Sequence, residues 1–508
     1  MASHTLIPFP DELLAAKKQI REQARSYGLD FFNVIFEMCD YEQMNQIAAY
    51  GGFPQRYPHW RFGMEYEKLR KQHHYGLGRI YEMVINNDPT YAYLLESNPE
   101  VDQKLVMAHV YGHGDFFKNN FAFRHTNRKM MDEMANHATR VRRWIDRIGI
   151  EPVEDFVDRC LSLENLIDYH APYIRRGPAR LPGGGKEEEQ VVRGLKTERE
   201  YMRDFINPPE FIAKQREKAK AEKEAQKRKV PRRPERDVLG FLMQHAPLEA
   251  WEADVLGIIR EEAYYFLPQM QTKIMNEGWA TYWHSELMTT RALRDDEVID
   301  YAEAASGVTA MGPNQLNPYK IGVELYRDIE DRWNKGKFGK QWDECDDRQA
   351  RDEWDMQLHL GQSKIFEVRR LYNDVTFIDE FFTLEFCRQN RFFTFVENRR
   401  SGKTEIESRE FKKIKDTMLQ QLTNFGQPFI YVVDANYLNR GELLLAHRHE
   451  GVDLRLNYAR DTLRNLERIW RRPVSILTVI DDKPKRIRYD GSEILITDEP
   501  EAWKLSRG

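Results

Sequence analysis

The sequence predicts an α+β protein, with a mainly helical N-terminal and central part followed by a smaller C-terminal domain that mixes strands with helices. Three observations carry that prediction. From about residue 10 to 180, and again from 237 to 374, apolar residues recur at three- and four-residue spacing with few β-branched runs, the period of amphipathic helices. Beyond about 375, short apolar runs take over: Phe392-Phe-Thr-Phe-Val396, Phe429-Ile-Tyr-Val-Val433, Leu443-Leu-Leu-Ala-His-Arg-His449, Val474-Ser-Ile-Leu-Thr-Val-Ile480 and Arg486-Ile-Arg-Tyr489. They alternate with amphipathic stretches near 408–423 and 454–470, the pattern of a separate α+β domain. Finally, 508 residues of which 41% are hydrophobic suffice for two or three buried cores.

Four parts are expected: the first half of a helical domain at 1–180, a charged flexible insertion at 181–236, the second half of the helical domain at 237–374, and the C-terminal domain at 375–508. Within the insertion, Ala213 to Arg236 holds 11 Lys/Arg against 4 Asp/Glu and almost nothing apolar beyond Ala, so it cannot bury a core. It has no aromatics to stack on bases. The whole chain carries 77 basic and 82 acidic residues, a net charge of -5, so nothing in the overall charge favours nucleic acid or an anionic membrane. Cys39, Cys160, Cys345 and Cys387 are far apart, which fits neither a disulfide scaffold nor a cysteine zinc cluster and suits a reducing cytoplasm. No membrane span is expected, since no stretch approaches the roughly 20 apolar residues a spanning helix needs. The N-terminus lacks the pattern of a signal peptide.

Taken in order, the first distinctive element is Tyr50-Gly-Gly-Phe-Pro-Gln-Arg-Tyr-Pro-His59, read as a packed irregular loop because its aromatics would be wasted in solvent. Next comes Asn98-Pro-Glu, a helix start with Asn98 as the cap. The helix it opens contains Ala108-His109-Val-Tyr-Gly-His113-Gly-Asp115. His109 and His113 lie about one turn apart on one face, the way two imidazoles of a helix bind one metal ion. Two packed histidines are the plainer alternative. Gly112 and Gly114 cost helix propensity, which is explained if something approaches the backbone closely.

Downstream, Pro268 is expected to open a helix from Gln269 to about Thr289 carrying Ile274-Met-Asn-Glu277-Gly-Trp-Ala-Thr-Tyr-Trp-His284. Glu277 and His284, seven residues apart, share a face. Two histidines from one helix and a glutamate from a later one make the His2Glu set of catalytic zinc sites. The Asn-Glu-Gly-Trp-Ala string resembles the Asn-Glu-Gly-Phe-Ala type that supplies the glutamate ligand in gluzincin metallopeptidases. The resemblance implies a gluzincin-like core with His109, His113 and Glu277 on zinc.

Val110, however, stands where the gluzincin HExxH motif has its general-base Glu. Another group must then serve as base: Glu262 on the preceding helix, Asp115, or His284 if it is not the fourth ligand. Restoring the carboxylate by Val110→Glu should keep the metal. Tyr319, in Leu316-Asn-Pro-Tyr-Lys-Ile-Gly322, is the candidate phenol for an oxyanion, with a packed loop aromatic as the alternative. His113-Gly-Asp115 could also join a distant His in an iron(II) facial triad, although such triads sit on strands. Glu133 with His137, one turn apart, and Glu164 read either as groups orienting a ligand or as ordinary surface residues. Ser401-Gly-Lys-Thr404 lacks the first glycine of a phosphate loop, Glu397 standing there instead. His447 and His449 alternate on one strand face and read as solvent-facing edge residues.

The strings Ala108-His-Val-Tyr-Gly-His-Gly-Asp-Phe-Phe-Lys-Asn-Asn120 and Thr272-Lys-Ile-Met-Asn-Glu-Gly-Trp-Ala-Thr-Tyr-Trp-His-Ser-Glu-Leu-Met288 resemble hallmarks of the stage V sporulation protein R (SpoVR) family. Tyr50–Leu69, Met134–Trp144, Leu161–His170 and Asn317–Gly339 resemble its further motifs in the same order. The resemblance covers nearly the full chain. It implies a cytoplasmic bacterial protein of spore-cortex formation or, in other bacteria, of stress and stationary-phase responses. It also implies partnership with a PrkA-type serine protein kinase and a von Willebrand factor A-domain protein. The length and the insertion are more similar to members from Gram-negative bacteria than to the sporulation version. Two readings follow: a zinc-dependent hydrolase acting on a peptide or other amide bond, or a non-catalytic regulatory protein working with those partners.

Overall fold

The computed structural model describes residues 7–74, 82–174, 229–309, 317–392 and 410–500, with shorter stretches at 210–215, 394–397 and 404–408 and the single residues 208, 217 and 502. The chain forms two units, each assembled from two stretches of sequence: Met1–Glu154 with Tyr264–Gly426, and Asp155–Ala263 with Gln427–Gly508.

The first unit is built around one helix, Glu100–Asn119, in which every residue from Gln103 to Phe117 is buried. A helix that is covered all round belongs at the centre of a core. Asp11–Ser26 and Lys273–Leu287 pack against it, Pro318–Lys335 packs on Lys273–Leu287, and Gly361–Leu371 packs on Pro318–Lys335. Asn317 caps Pro318–Lys335 by accepting from the backbone N–H of Tyr319, and Gly336 ends it in the left-handed region at φ 72°.

A small sheet completes this unit, with β1 (Val34–Cys39) parallel to the central β3 (Thr90–Leu95) and β2 (Glu82–Ile85) antiparallel to it. The first section is mainly helical as expected, but these strands were not anticipated: at 4 to 6 residues they show too few alternations for a period of two to stand out. The loop at 50–59 is packed as expected, with Phe53 buried against the edges of Tyr265 and Phe266.

Residues 375–426, expected with the C-terminal domain, group with the helical unit instead. The cause is aromatic: Phe377, Phe381, Phe382, Phe386 and Phe392 are buried in the same core as the central helix. β4 (Thr394–Glu397) and β5 (Thr404–Ser408) form a separate antiparallel pair. Pro268 does not open a helix. It lies inside Ala250–Gln271, and the break falls at Thr272, whose φ of −133° leaves the helical region before Lys273–Leu287 begins.

The second unit carries a five-stranded sheet in the order β10-β9-β8-β7-β6. The strands are β6 (Phe429–Tyr437), β7 (Glu442–Arg448), β8 (Val474–Ile480), β9 (Lys483–Tyr489) and β10 (Ile494–Asp498). β7 and β8 run parallel, joined through the helix Leu456–Trp470, and the other neighbours are antiparallel. The read strands from Phe429 onward and the read helix near 454–470 recur here, and β10 was missed. β7 is an inner strand, so His447 is not a solvent-facing edge residue: it is buried, with Nδ1 2.9 Å from Thr478 Oγ1.

Most of the 181–236 insertion lies outside the described residues, as do 310–316 of the loop before Tyr319 and 401–403 of the Ser-Gly-Lys-Thr string. The end of the insertion is not loose. Glu235 exchanges backbone hydrogen bonds of 2.9 and 2.7 Å with Val432 of β6.

Candidate metal centre

The histidines sit on the central helix, Glu100–Asn119, called here the His helix. It starts one residue later than its sequence suggested: Pro99 takes the capping position, no side chain caps it, and Glu100 and Asp102 in the first turn face the positive end. His109 and His113 project from one face with ring centroids 4.5 Å apart and planes at 87°. Glu277 comes from Lys273–Leu287, the Glu helix. Asp374 caps that helix from a distant part of the chain, its carboxylate accepting from the backbone N–H groups of Ile274 at 2.8 Å and Met275 at 2.9 Å.

Missing side chains let these helices meet. A Cβ on Gly112 would stand 2.7 Å from the Cα of Ala280, and one on Gly278 would stand 2.4 Å from the Cα of Gly322 on Pro318–Lys335. The close approach that Gly112 foreshadowed is therefore made by the Glu helix. Gly114 has a different neighbour, the Cβ of Phe31.

At the crossing, Glu277 Oε2 lies 3.5 Å from His109 Nε2 and 3.5 Å from His113 Nε2. That is long for a hydrogen bond, and Oε2 is buried without a hydrogen-bond partner. Three ligands arranged tetrahedrally at roughly 2.1 Å from one ion would lie about 3.4 Å apart. The separations suit a shared cation better than they suit direct contact.

The far nitrogens are held separately. His113 Nδ1 is 3.0 Å from Asn276 Oδ1, so with the amide oxygen toward the ring it carries the hydrogen and leaves the lone pair on Nε2. His109 Nδ1 is 3.0 Å from His284 Nδ1. Burial first, and then the neighbouring charges of His109, Arg327 and His113, hold His284 well below the usual histidine range and keep it neutral. Its Nδ1 can accept from His109, which leaves His109 Nε2 with a lone pair as well. Two imidazole nitrogens and a carboxylate oxygen thus converge, a donor set that suits a shared cation. Burial alone would raise the Glu277 carboxyl, but the imidazoles of His109 and His113 outweigh it and hold the group well below the usual carboxylate range.

His109, His113 and Glu277 therefore come together, as their spacing suggested. His284 contacts the set through His109. Tyr319 stacks on the His109 ring, centroids 6.0 Å apart at 24°. Glu262 is buried on Ala250–Gln271, in the unit that does not carry His109, His113 and Glu277. Asp115 is no base or iron ligand. Its carboxylate is buried and already engaged, accepting from the Asp30 N–H at 2.8 Å and Trp279 Nε1 at 2.8 Å and pairing with Arg369. Val110 is buried in the apolar core. Glu133 lies 3.5 Å from His137 Nε2 as an i,i+4 pair, and Glu164 is exposed. Sequence reasoning missed Asn276 and Asp374. The adjacency of Asn276 to Glu277 was the only signal for the first, and nothing local announces the second.

The chain matches the SpoVR-like protein family over residues 9–427 and the SpoVR-like C-terminal domain over 428–481. It is 30% identical over 488 residues to the uncharacterized protein YcgB of Escherichia coli (strain K12), covering 89% of this chain and 89% of that protein. No solved structure matches it. The chain belongs to the SpoVR family.

Proposed function

We propose that this SpoVR-family protein is a metal-dependent hydrolase of a peptide or other amide bond, with zinc held by His109, His113 and Glu277 in a gluzincin-like arrangement. The observation that carries the reading is the buried, unpartnered Glu277 Oε2 at 3.5 Å from two imidazole nitrogens. Three protein ligands leave a position open, the feature that separates catalytic from structural zinc sites. The ion's contribution is Lewis acidity at the scissile carbonyl.

The chain's own residues divide the remaining work. Asn276 and His284 fix the ring orientations of His113 and His109, as partners of ligating histidines commonly do. Tyr319, against the His109 ring, is the phenol assigned to the developing oxyanion. With Val110 buried in the core, the base comes from elsewhere, and the neutral His284 is the group assigned to it.

The same buried Val110 favours a second reading. A site without the adjacent carboxylate suits a regulatory protein that holds a metal without turnover and works with a PrkA-type serine kinase and a von Willebrand factor A-domain protein. Elemental analysis of tag-free protein, followed by hydrolysis assays on a fluorogenic peptide panel with and without chelator, separates the two. One zinc per chain with chelator-sensitive turnover supports the hydrolase. Zinc without turnover leaves the regulatory protein, and absence of any bound or acquired metal sinks the metal centre itself.

A further inference from the structure

We infer that Asp115 is a positioning residue for the metal centre, setting the rotation of the His helix against the Glu helix through its bond to Trp279; the inference rests on the metal-binding reading above. Asp115 follows His113 by two residues, and Trp279 follows Glu277 by two. Along an α-helix a step of two turns the side chain by about 200°, so each of these residues leaves its helix on the flank nearly opposite to the ligand that precedes it. Between the two flanks lies the backbone contact of Gly112 with Ala280.

The helix pair is thus fixed at three places across its width. The ligands meet on one side, backbone touches backbone in the middle, and Asp115 Oδ2 accepts from Trp279 Nε1 at 2.8 Å on the other side. Rolling either helix about its axis breaks the bond to Trp279 and separates Glu277 from the imidazoles together. A carboxylate suits this task better than an apolar pair because its bonds are directional. The second oxygen of Asp115 is held by the Asp30 N–H at 2.8 Å and Asn119 Nδ2 at 3.3 Å, and Arg369 stands 3.3 Å from the first. The group is anchored on both sides before it reaches Trp279.

Cobalt(II) and zinc titrations of the full chain test this, comparing wild type with Trp279→Phe, Asp115→Asn and the remote core variant Ile378→Val. Trp279→Phe removes the Nε1 donor and keeps an aromatic ring. Both clamp variants are expected to bind about 10–100-fold more weakly and to change the visible spectrum of bound cobalt, which reports ligand geometry. Ile378→Val should lower the melting temperature and leave affinity and spectrum alone. Wild-type affinity and spectrum in a folded Trp279→Phe protein would overturn the positioning role. Should Asp115→Asn fail to fold, Trp279→Phe decides by itself. If wild type takes up neither ion, the metal centre fails and the positioning role falls with it. If wild type binds and the clamp variants match it, only the positioning role falls.

Discussion

Each unit contains a close pair of histidines beside a carboxylate, and the two pairs differ in what that carboxylate has left to offer. In the strand pair, His447 faces the Thr478 hydroxyl, while His449 Nε2 meets Asp453 Oδ1 at 2.7 Å and Asp453 Oδ2 accepts from the Asp481 N–H at 2.9 Å. The two rings have separate partners, and both carboxylate oxygens are engaged. In the helix pair, the far nitrogens are held by Asn276 and His284, and both near nitrogens face a single oxygen that has no bond. Proximity of histidines does not make a site. A site needs partners that orient the rings toward one shared point.

The largest expected effect breaks the helix pair directly. His113→Ala and Glu277→Ala should each abolish tight metal binding in isothermal titration, by at least about 100-fold, while circular dichroism shows a folded protein. Binding to wild type should weaken on acidification, because the imidazoles must be neutral to ligate. Retention of the metal by either variant would put the two pairs on the same footing.

Next comes Val110→Glu. Because Val110 lies in the apolar core, this substitution should not restore a hydrolytic base; it buries an unpaired carboxylate and is expected to cost about 3 kcal/mol or more in denaturant unfolding. A stable variant with enhanced amide hydrolysis would show that position 110 reaches the metal after all.

The strand pair should respond in stability and not in metal. Burial, and then the charge of His449, pull His447 down to about 4, so protonation is resisted in the fold. A base whose folded pKa is depressed stabilises above its unfolded value and loses that contribution as pH falls. The second unit should therefore lose roughly 3 kcal/mol between about pH 6.5 and 4. His447→Ala should flatten that loss, cost about 1–3 kcal/mol at neutral pH by stranding Thr478, and leave metal affinity unchanged. Asp453→Asn is the smallest change. Asp453 is exposed, and its bond to His449 is worth about 0.2–1 kcal/mol. A metal-affinity change in either variant would erase the contrast between the pairs.

Helical spacing is enough to bring His109 and His113 to one face and Glu277 and His284 to another, and the resemblance to known strings says that these faces belong together. What spacing cannot show is which atom of a ring a neighbour will hold. Asn276 was read only as part of the string around Glu277, with no role of its own, and Asp115 looked like a ligand because it follows a histidine by two. Gly278 and Gly322 were unremarked because each explains the other only after the helices cross. The sheet of β1, β2 and β3 hid in strands too short for their period, whereas the longer β7 and β8 stood out. Residues 375–426 were misplaced because apolar aromatics fill helical and mixed cores equally well.

The all-round burial of the His helix also has a cost during synthesis. Of the helices packed against it, Asp11–Ser26 is made first, but the Glu helix follows much later: 163 residues separate His113 from Asn276. At roughly 5–20 residues per second a ribosome needs about 8–30 s to cover that distance. For that interval one side of a helix whose residues from Gln103 to Phe117 are all buried in the fold has no native cover in the nascent chain. This protein should lean on trigger-type chaperones at the ribosome exit far more than its net charge or its polar surface would suggest.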